Sequence, residues 1–373
     1  MIMLRGMTWD HPRGFQPLQV STPVYAKETG VQIEWGKRSL KEFADTPIDI
    51  LAAEYDLMVI DHPHMGSSVA TGSLLALDGY LPTATLKTLN AQSAGPSHQS
   101  YFYQDHQWAL ANDAAMQVAC YRPDLVEVAL PTSWDEALTY GEQVKDSSHM
   151  MAVPLCPTDS ICTFLTLSAS VGYPIGGSDH LIEDDAGQAV LALMLKLAEI
   201  SHPESRNWNP IQMLNHMSST DEIAYCPVTF SYTNYSRDGY AEHLIHFTDL
   251  PGKKGALLGG AGIAVSSNTK HPEEAAAYAA WISSAEVQKG LYVENGGQPG
   301  NREAWLDDHS NTLTHNFFRN TLATLDASYL RPRYNGWMHF QEEGGNIIHA
   351  MLMGWSDAPT CLQQLRTLYQ STL

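Results

Sequence analysis

The feature that most constrains the fold is the segment Tyr55 to Ile60, which is apolar on both faces from Leu57 onward. A strand tolerates this only when it is covered on both sides, as in a parallel sheet under helices. Two strand-like segments precede it, Leu4 to Trp9 and Val31 to Trp35, and a stretch of helical length separates those two. This β-α-β order predicts an α/β fold.

The rest of the chain alternates between strand and helix patterns and predicts a second α/β unit. Ala114 to Tyr121 is an apolar stretch after the polar residues 111–113, where we expect a bend and a crossing between two lobes. A glycine-interrupted strand covers Lys254 to Ser267, and Pro272 then suits the first position of a helix. Further helical patterns cover about residues 160–171, 186–199 and 209–218, and three more follow about residue 311. A chain of 373 residues is too long for one ordinary core, so two lobes are expected.

The charge balance argues against two classes of partner. The chain has 41 acidic and 21 basic residues and a formal charge of −20. Such a surface repels phosphate backbones and anionic lipid headgroups, so we expect neither nucleic-acid binding nor a membrane-surface role. No apolar run approaches the ~18 residues of a membrane helix, so direct membrane insertion is not expected either. The five scattered cysteines contain no C-x-x-C pair and predict no disulfide framework.

Several blocks of sequence resemble the family 1 extracellular solute-binding proteins, the sugar-binding components of ABC importers. The order and spacing of these blocks are similar to the second half of that family, and Tyr55 to Ile60 and Trp108-Ala-Leu are similar to its first half. The second-half blocks are Leu258-Gly-Gly-Ala-Gly-Ile-Ala-Val-Ser-Ser, Lys270-His-Pro-Glu-Glu-Ala-Ala-Ala-Tyr-Ala-Ala-Trp-Ile, Ser284-Ala-Glu-Val-Gln, Gly296-Gly-Gln-Pro-Gly-Asn-Arg302 and Arg331-Pro-Arg-Tyr-Asn-Gly-Trp337.

The resemblance implies a two-lobed, periplasmic-binding-protein-like fold of type II with a ligand cleft between the lobes. We expect residues 1–112 and 240–310 to form the first lobe, and residues 113–239 and 311–373 to form the second. The resemblance also implies a monomer that binds a small polar solute, most simply a carbohydrate, by hinge closure. No catalysis and no cofactor are expected, and the partners are ABC permease subunits, to which the protein presents the solute. Members of the family are exported to the periplasm, whereas the first residues here show no signal-peptide pattern, so a cytoplasmic location is the alternative.

The strand ends supply the first candidate ligand-binding residues. Ligands of open α/β sheets sit beyond the carboxyl ends of the strands. Two loops lie there, residues 9–13 and residues 61–64. If the strands before them are neighbours, the two loops meet at one cleft. The candidates on these loops are Trp9, His11, Arg13, His62 and His64. A purely structural role is the alternative, in which Asp61 and His62 cap the next helix and Arg13 pairs with a surface acid.

Other candidates lie where the chain is expected to cross or turn near the cleft. A carboxylate at Asp113 can accept two hydroxyl hydrogen bonds, and the rings and amide after the strand near residue 228 can stack on and bond to a polar ligand. The remaining candidates are Ser160 beside Asp159, Tyr232, Asn234, Gly260 and Gln298. The alternatives are turn formation for Asp113 and Gln298, helix capping for Ser160, ordinary packing for Tyr232, and a tight crossing between the lobes for Gly260. We expect Arg331 and Arg333 to form structural ion pairs.

Two other functions stay open at this point. Arg13 and the histidines suit a carboxylated or aromatic solute, because a guanidinium group binds carboxylates bidentately. His62-Pro-His64 after an apolar strand is also similar to the metal-binding H-x-H of amidohydrolases, which makes a metal-dependent hydrolase the second alternative. The chain lacks the eight β-α units of those enzymes and contains no G-x-S-x-G, P-loop or H-E-x-x-H motif.

Overall fold

The computed structural model describes residues 2–176 and 179–373, and its strands and helices alternate along the chain. Its strands are β1 Ile2–Trp9, β2 Val31–Arg38, β3 Leu57–Ile60, β4 Phe102–Tyr103, β5 His106–Gln107, β6 Ala109–Tyr121, β7 Met150–Met151, β8 Ile223–Phe230, β9 His246–Thr248 and β10 Leu258–Val265. Its α-helices are α1 Pro12–Thr29, α2 Leu40–Asp45, α3 Ile48–Ala52, α4 Met65–Ala70, α5 Thr83–Ala91, α6 Trp134–Val144, α7 Pro157–Ser170, α8 Asp184–Ile200, α9 Pro210–Ser219, α10 Pro272–Ile282, α11 Ala285–Val287, α12 Arg302–Leu306, α13 Asp308–Leu313, α14 Phe317–Asp326, α15 Trp337–Leu352 and α16 Ala358–Thr372. Shorter helical turns cover His62–His64, Leu77–Gly79, Gln99–Tyr101, Pro203–Arg206, Thr233–Ser236 and Gln288–Tyr292.

The main sheet has the strand order β2-β1-β3-β10-β6-β8-β7, with β9 paired to β6. Strand β1 is parallel to both β2 and β3, and all four residues of β3 are buried. This confirms the parallel β-α-β unit predicted from the apolar run. Strand β10 is antiparallel to β3 and to β6, so the chain returns to the first part of the sheet after a long excursion.

Strand β6 is shared by two parts of the sheet. Its first half pairs with β10, from Ala109 to Met116, and its second half pairs with β8, from Gln117 to Tyr121. The prediction of a polar bend at residues 111–113 is wrong, because these residues continue strand β6. Two of their polar groups find partners inside the protein: Asn112 Nδ2 donates to Tyr292 Oη at 3.1 Å, and the Asp113 carboxylate pairs with an arginine.

The buried apolar residues form separate cores on either side of this crossing strand. The larger core joins α7, α8, α15 and α16 to β8 and the second half of β6. The smaller cores cover the two faces of β1, β3 and β10 and include side chains of α1 and α10. Two lobes of α/β structure, as predicted, follow from this arrangement. Ile245, Phe247 and Leu257 lie in the larger core, and we therefore propose that the segment 245–258 belongs to the second lobe.

Helix α1 begins at Pro12. The helix predicted between the first two strands was expected to begin about six residues later, at about residue 18. Proline favours the first position of a helix, and His11 caps it because its Nδ1 accepts a hydrogen bond from Arg13 N at 3.1 Å. Arg13 therefore lies in the first turn of a helix and not in a free loop. The five cysteines are free, and no helix within the described residues is long and apolar enough to cross a membrane.

Gly260 lets β10 approach the crossing strand closely. Its φ of +93° is in the left-handed region, and a Cβ placed there would lie 2.5 Å from the backbone oxygen of Asp113. The close contact is therefore with a neighbouring strand, which agrees with the alternative of a tight crossing. As a ligand-binding residue Gly260 stays a prediction.

We expect Gly260→Ala to destabilise the protein more than Gly239→Ala, measured as the free energy of unfolding in urea. Both glycines have positive φ, but a Cβ at Gly239 meets nothing within 4 Å. Backbone strain costs each variant about 1–2 kcal/mol, and overpacking adds about 1–3 kcal/mol at Gly260 alone. Equal losses in the two variants would contradict the close approach of β10 to β6.

Candidate functional site

The carboxyl ends of β1 and β3 bring the two predicted loops together. These strands are adjacent and parallel, so His11 and Arg13 follow one strand end while His62 and His64 follow the next. All four side chains are buried. Trp9 is also buried, but its ring lies against Gly14 and Phe43 inside the first lobe. The face of Trp9 that we expected to stack on a ligand is therefore covered by the protein itself.

Arg13 joins the first lobe to the crossing strand and to the second lobe. Its Nε donates to Asp113 Oδ2 at 2.7 Å and its NH2 group to Asp113 Oδ1 at 2.5 Å. The NH1 group donates to the backbone oxygen of Ser231 at 2.7 Å, and the guanidinium lies 4.8 Å from the centre of the Tyr232 ring. Burial alone would lower the pKa of Arg13, but the charge of Asp113 outweighs it and raises the pKa. The guanidinium therefore stays charged and holds Asp113 bidentately. Burial raises the pKa of the Asp113 carboxyl, and the charge and hydrogen bonds of Arg13 oppose that rise.

His11 is held neutral beside this pair. Burial, and then the charge of Arg13, lower the pKa of His11 to about 3. Because its Nδ1 accepts the cap hydrogen bond, Nε2 carries the proton and lies 3.3 Å from Tyr240 Oη. The imidazole edge also contacts Tyr232, with ring centres 5.0 Å apart. His11 therefore contributes hydrogen bonding without charge.

Asp61, His62 and Arg331 form a second polar cluster between the lobes. The NH2 group of Arg331 lies 3.0 Å from Asp61 Oδ2, and its Nε donates to His62 Nε2 at 3.3 Å. Its NH1 group donates to Gln341 Oε1 on α15 at 2.8 Å, which anchors the arginine on the second lobe. Asp61 makes no side-chain cap for the following turn, so the structural role considered for it is not seen. The ion pair expected for Arg331 is confirmed.

The electrostatics of this cluster count against a metal at His62. Burial, helped by Arg331 against the opposing effect of Asp61, lowers the pKa of His62 to about 4. A neutral imidazole can ligate a metal, but its Nε2 already accepts from a guanidinium, and a metal ion there would meet a fixed positive charge. Burial opposes ionisation of Asp61, yet Arg331 and His62 outweigh it and lower the pKa of Asp61. The carboxylate is therefore charged and already paired.

Asp159 lies in the first turn of α7 and has no basic partner. Among the described residues, the hydrogen bond to its carboxylate comes from Cys156 Sγ at 3.1 Å, and no Arg or Lys pairs with it. Burial raises its pKa to about 7. Burial also raises the pKa of Tyr232 to about 12 against Arg13, and the negative charges of Asp159 and Asp113 add to the rise. The charges of Asp159 and of the Arg13 pair thus act on the same tyrosine.

The other predicted residues hold this region in place. Ser160 Oγ donates to the backbone oxygen of Leu155 at 2.8 Å and is fully buried. Gln298 Oε1 accepts from Thr233 N at 2.9 Å, while its Nε2 donates to the backbone oxygen of Ala114 at 2.8 Å. Asn234 Nδ2 donates to the backbone oxygen of Gly296 at 3.2 Å. The two bonds of Gln298 join the turn after Tyr232 to the crossing strand β6. Whether Ser160, Asn234 or Gln298 also binds ligand stays a prediction.

Sequence reasoning did not predict the roles of four residues in the two clusters. Asp61 was considered only as a helix cap, Arg331 only as a structural ion pair, and Gln341 and Tyr240 not at all. Arg331 does lie in the block Arg331-Pro-Arg-Tyr-Asn-Gly-Trp337 that carries the resemblance, which was a signal for it. Gln341 and Tyr240 have no comparable signal, because they meet the cluster only through the tertiary fold.

Comparisons with known proteins agree on one kind of protein. The family model for "Bacterial extracellular solute-binding protein" matches residues 25–317. A probable amino-acid ABC transporter periplasmic-binding protein of Sinorhizobium fredii is 23% identical over 203 residues, 52% of this chain and 46% of that relative. The match thus spans about half the length of that relative.

Solved structures agree in fold over the whole chain. Maltose-bound MalE3 of T. maritima superposes with a TM-score of 0.85 at 15% identity and covers 100% of both chains. An ABC transporter solute-binding protein of Agrobacterium radiobacter K84, in complex with ribitol, superposes with a TM-score of 0.83 at 16% identity, covering 100% of this chain and 99% of that one. The fold predicted from the resemblance is confirmed. The chain belongs to the bacterial extracellular solute-binding protein family.

Proposed function

We propose that this protein is the substrate-binding component of an ABC importer and that it binds a neutral polyhydroxylated solute, a carbohydrate or a polyol, between its lobes. The family membership supports the transport role. The similar structures described as holding maltose and ribitol support the ligand class. The observation that carries the proposal is the unpaired carboxyl group of Asp159 in a region where the other charges are paired.

The charges between the lobes favour a hydroxyl-bearing ligand. Three carboxyl groups, of Asp61, Asp113 and Asp159, stand against two guanidinium groups. A carboxylate accepts hydrogen bonds on both oxygens, so it suits the vicinal hydroxyls of a sugar. Tyr232, whose pKa is raised by the charge of Asp159 among other causes, adds an aromatic ring on which a sugar can stack. The site therefore has more carboxyl groups than guanidinium groups, and this excess of hydrogen-bond acceptors matches a neutral solute that is rich in hydrogen-bond donors.

An acidic ligand fits this site less well. Arg13 is held bidentately by Asp113, and Arg331 is paired with Asp61. A ligand carboxylate would have to displace one of these internal carboxylates and leave it buried without a partner, at a cost of several kcal/mol. An amino acid is the second candidate, because its ammonium group would pair with Asp159 and the curated relative is described as an amino-acid transporter component.

Hinge closure follows from residues contributed by both lobes. Arg13 and Asp61 come from the ends of first-lobe strands, whereas Tyr232, Asp159 and Arg331 come from the second lobe. A ligand that contacts both sets binds the closed form better than the open form and shifts the population toward it. Binding requires no covalent step. The closed form is then the state that the permease subunits recognise, outside the cytoplasm.

The raised pKa of Asp159 predicts a pH-dependent gain in stability for Asp159→Asn. The pKa is about 7 in the folded protein against an ordinary 3.8, so the folded chain keeps a proton that the unfolded chain loses between about pH 4 and 7. The free energy of unfolding therefore falls as the pH rises through this window. We expect the variant to be more stable than wild type by on the order of 4 kcal/mol at about pH 8, and nearly equal near pH 4.

The measurement is urea unfolding at both pH values, with Asp146→Asn as the matched control. Asp146 is exposed, so its replacement should change the free energy of unfolding by less than about 0.5 kcal/mol at either pH. A stability gain for Asp159→Asn that is the same at both pH values would contradict a raised pKa.

The ligand class is tested by thermal shift and calorimetry with sugars, polyols, sugar acids, aromatic acids and amino acids. A ligand stabilises the folded protein by mass action, so we expect melting temperatures to rise with neutral sugars or polyols. Asp159→Asn should weaken the affinity for the best ligand by about ten- to hundredfold, because a hydrogen bond to a charged group is lost. Asp146→Asn should leave the affinity unchanged. Stabilisation by carboxylates alone would overturn the sugar assignment, and by amino acids alone would favour the second candidate.

A further inference from the structure

Two histidines and a glutamate converge on the outside of the second lobe. His216 Nε2 lies 2.8 Å from Glu222 Oε2, and His202 Nε2 lies 3.4 Å from the same oxygen. The three ligand atoms are all within 4.8 Å of one another, which no other set of three His, Cys, Asp or Glu side chains achieves in residues 2–176 and 179–373. None of these residues belongs to the polar clusters between the lobes.

Rigid elements hold the three side chains. His202 follows Ser201, the residue that ends α8. Its backbone N–H donates to the backbone oxygen of Met151 on β7 at 2.8 Å. His216 lies in the last turn of α9. The backbone oxygen of Glu222 accepts from Met150 N at 2.6 Å, just before β8 begins. Metal sites require ligands fixed on rigid structure, and this one draws on three elements of one lobe.

Trp208 orients both imidazoles. Its ring stacks on His202, with centres 4.8 Å apart and planes 13° from parallel, and lies 4.9 Å from the ring of His216. The two imidazole centres are 5.5 Å apart. An indole against both rings restricts their rotation and leaves their Nε2 atoms directed toward Glu222. The side-chain exposure rises from 14% at His202 to 59% at Glu222, so an ion can enter from solvent.

We propose that His202, His216 and Glu222 bind a divalent transition-metal ion of the Zn²⁺ type. Two imidazole nitrogens and one carboxylate oxygen are a ligand set that Zn²⁺ and its neighbours accept, with water completing the tetrahedron. Bonds of about 2.0–2.1 Å put tetrahedral ligand atoms about 3.3 Å apart. The spacing between His202 and Glu222 already fits, and the 2.8 Å spacing at His216 must widen by roughly half an ångström.

Metal binding changes one hydrogen bond in the cluster. His202 Nδ1 accepts from Glu204 N at 3.2 Å in the metal-free arrangement. A neutral imidazole that binds metal through Nε2 carries its proton on Nδ1, so this long cap bond is given up. The ion replaces a weak contact with a coordinate bond and ties the end of α8 to α9 and β8. The second lobe is then stabilised independently of the solute.

The test is Zn²⁺ titration of the untagged, EDTA-treated full chain by calorimetry, with the visible absorption of bound Co²⁺ as a direct readout of coordination. We expect one ion per chain in wild type. Glu222→Gln and His216→Gln should each weaken binding at least about tenfold and remove the Co²⁺ absorption. His309→Gln is the matched control, because His309 and Glu294 form an exposed pair at 3.3 Å outside any three-residue cluster.

Direct binding to wild type makes the proposal falsifiable whether or not a variant folds. No ion bound by wild type, or an affinity within about threefold of wild type in either ligand variant, would overturn it. An equal loss in His309→Gln would also overturn it, because binding would then follow total histidine content. Circular dichroism of each variant shows whether a loss reflects unfolding, and a folded variant that loses Zn²⁺ while the control keeps it supports the site.

Discussion

The structure depends on pairing the charges that are buried where its two lobes meet. Taking a guanidinium or a carboxylate out of water costs several kcal/mol unless a partner replaces the solvent. Arg13 meets this requirement through Asp113 and the backbone of Ser231, and Arg331 through Asp61 and Gln341. Each pair joins the end of a first-lobe strand to a distant part of the chain, Arg13 to strand β6 and Asp61 to the segment before α15. Asp159 has no Arg or Lys partner among the described residues, and we propose it as the acceptor of hydrogen bonds from a solute.

The crossing strand β6 makes this arrangement possible. It pairs with β10 in its first half and with β8 in its second half, so both lobes share one continuous backbone. Asp113 lies in the middle of this strand, where its carboxylate reaches the helix that begins after β1. The positive φ of Gly260 brings β10 against the same point. A solute bound here would lie beside the strand that both parts of the sheet share.

Local patterns in the sequence predicted most of the strands and helices and the meeting of two strand-end loops. The buried run at Leu57–Ile60 required a covered parallel sheet, and that sheet placed the segments with His11 and His62 at the ends of adjacent strands. The partners could not be predicted in this way. Arg13 and Asp113 are 100 residues apart, and Asp61 and Arg331 are 270 apart; no periodicity connects such distances. Asn112 and Asp113 were assigned to a bend because polar residues favour turns, but their tertiary partners keep them in a strand.

The central claim is that the buried charge pairs hold the two lobes in contact, and small-angle X-ray scattering tests it directly. The variant to measure is Arg331→Gln/Arg333→Gln, which removes the pair with Asp61 and the bonds from Arg333 to backbone oxygens of residues 99, 100 and 102. The matched control is Arg319→Gln/Arg366→Gln, which changes the net charge by the same amount. The partners of these two arginines are Asp308 in α13 and Asp184 in α8. The account predicts a larger radius of gyration for the first variant alone. Superimposable scattering curves for wild type and both variants would contradict it.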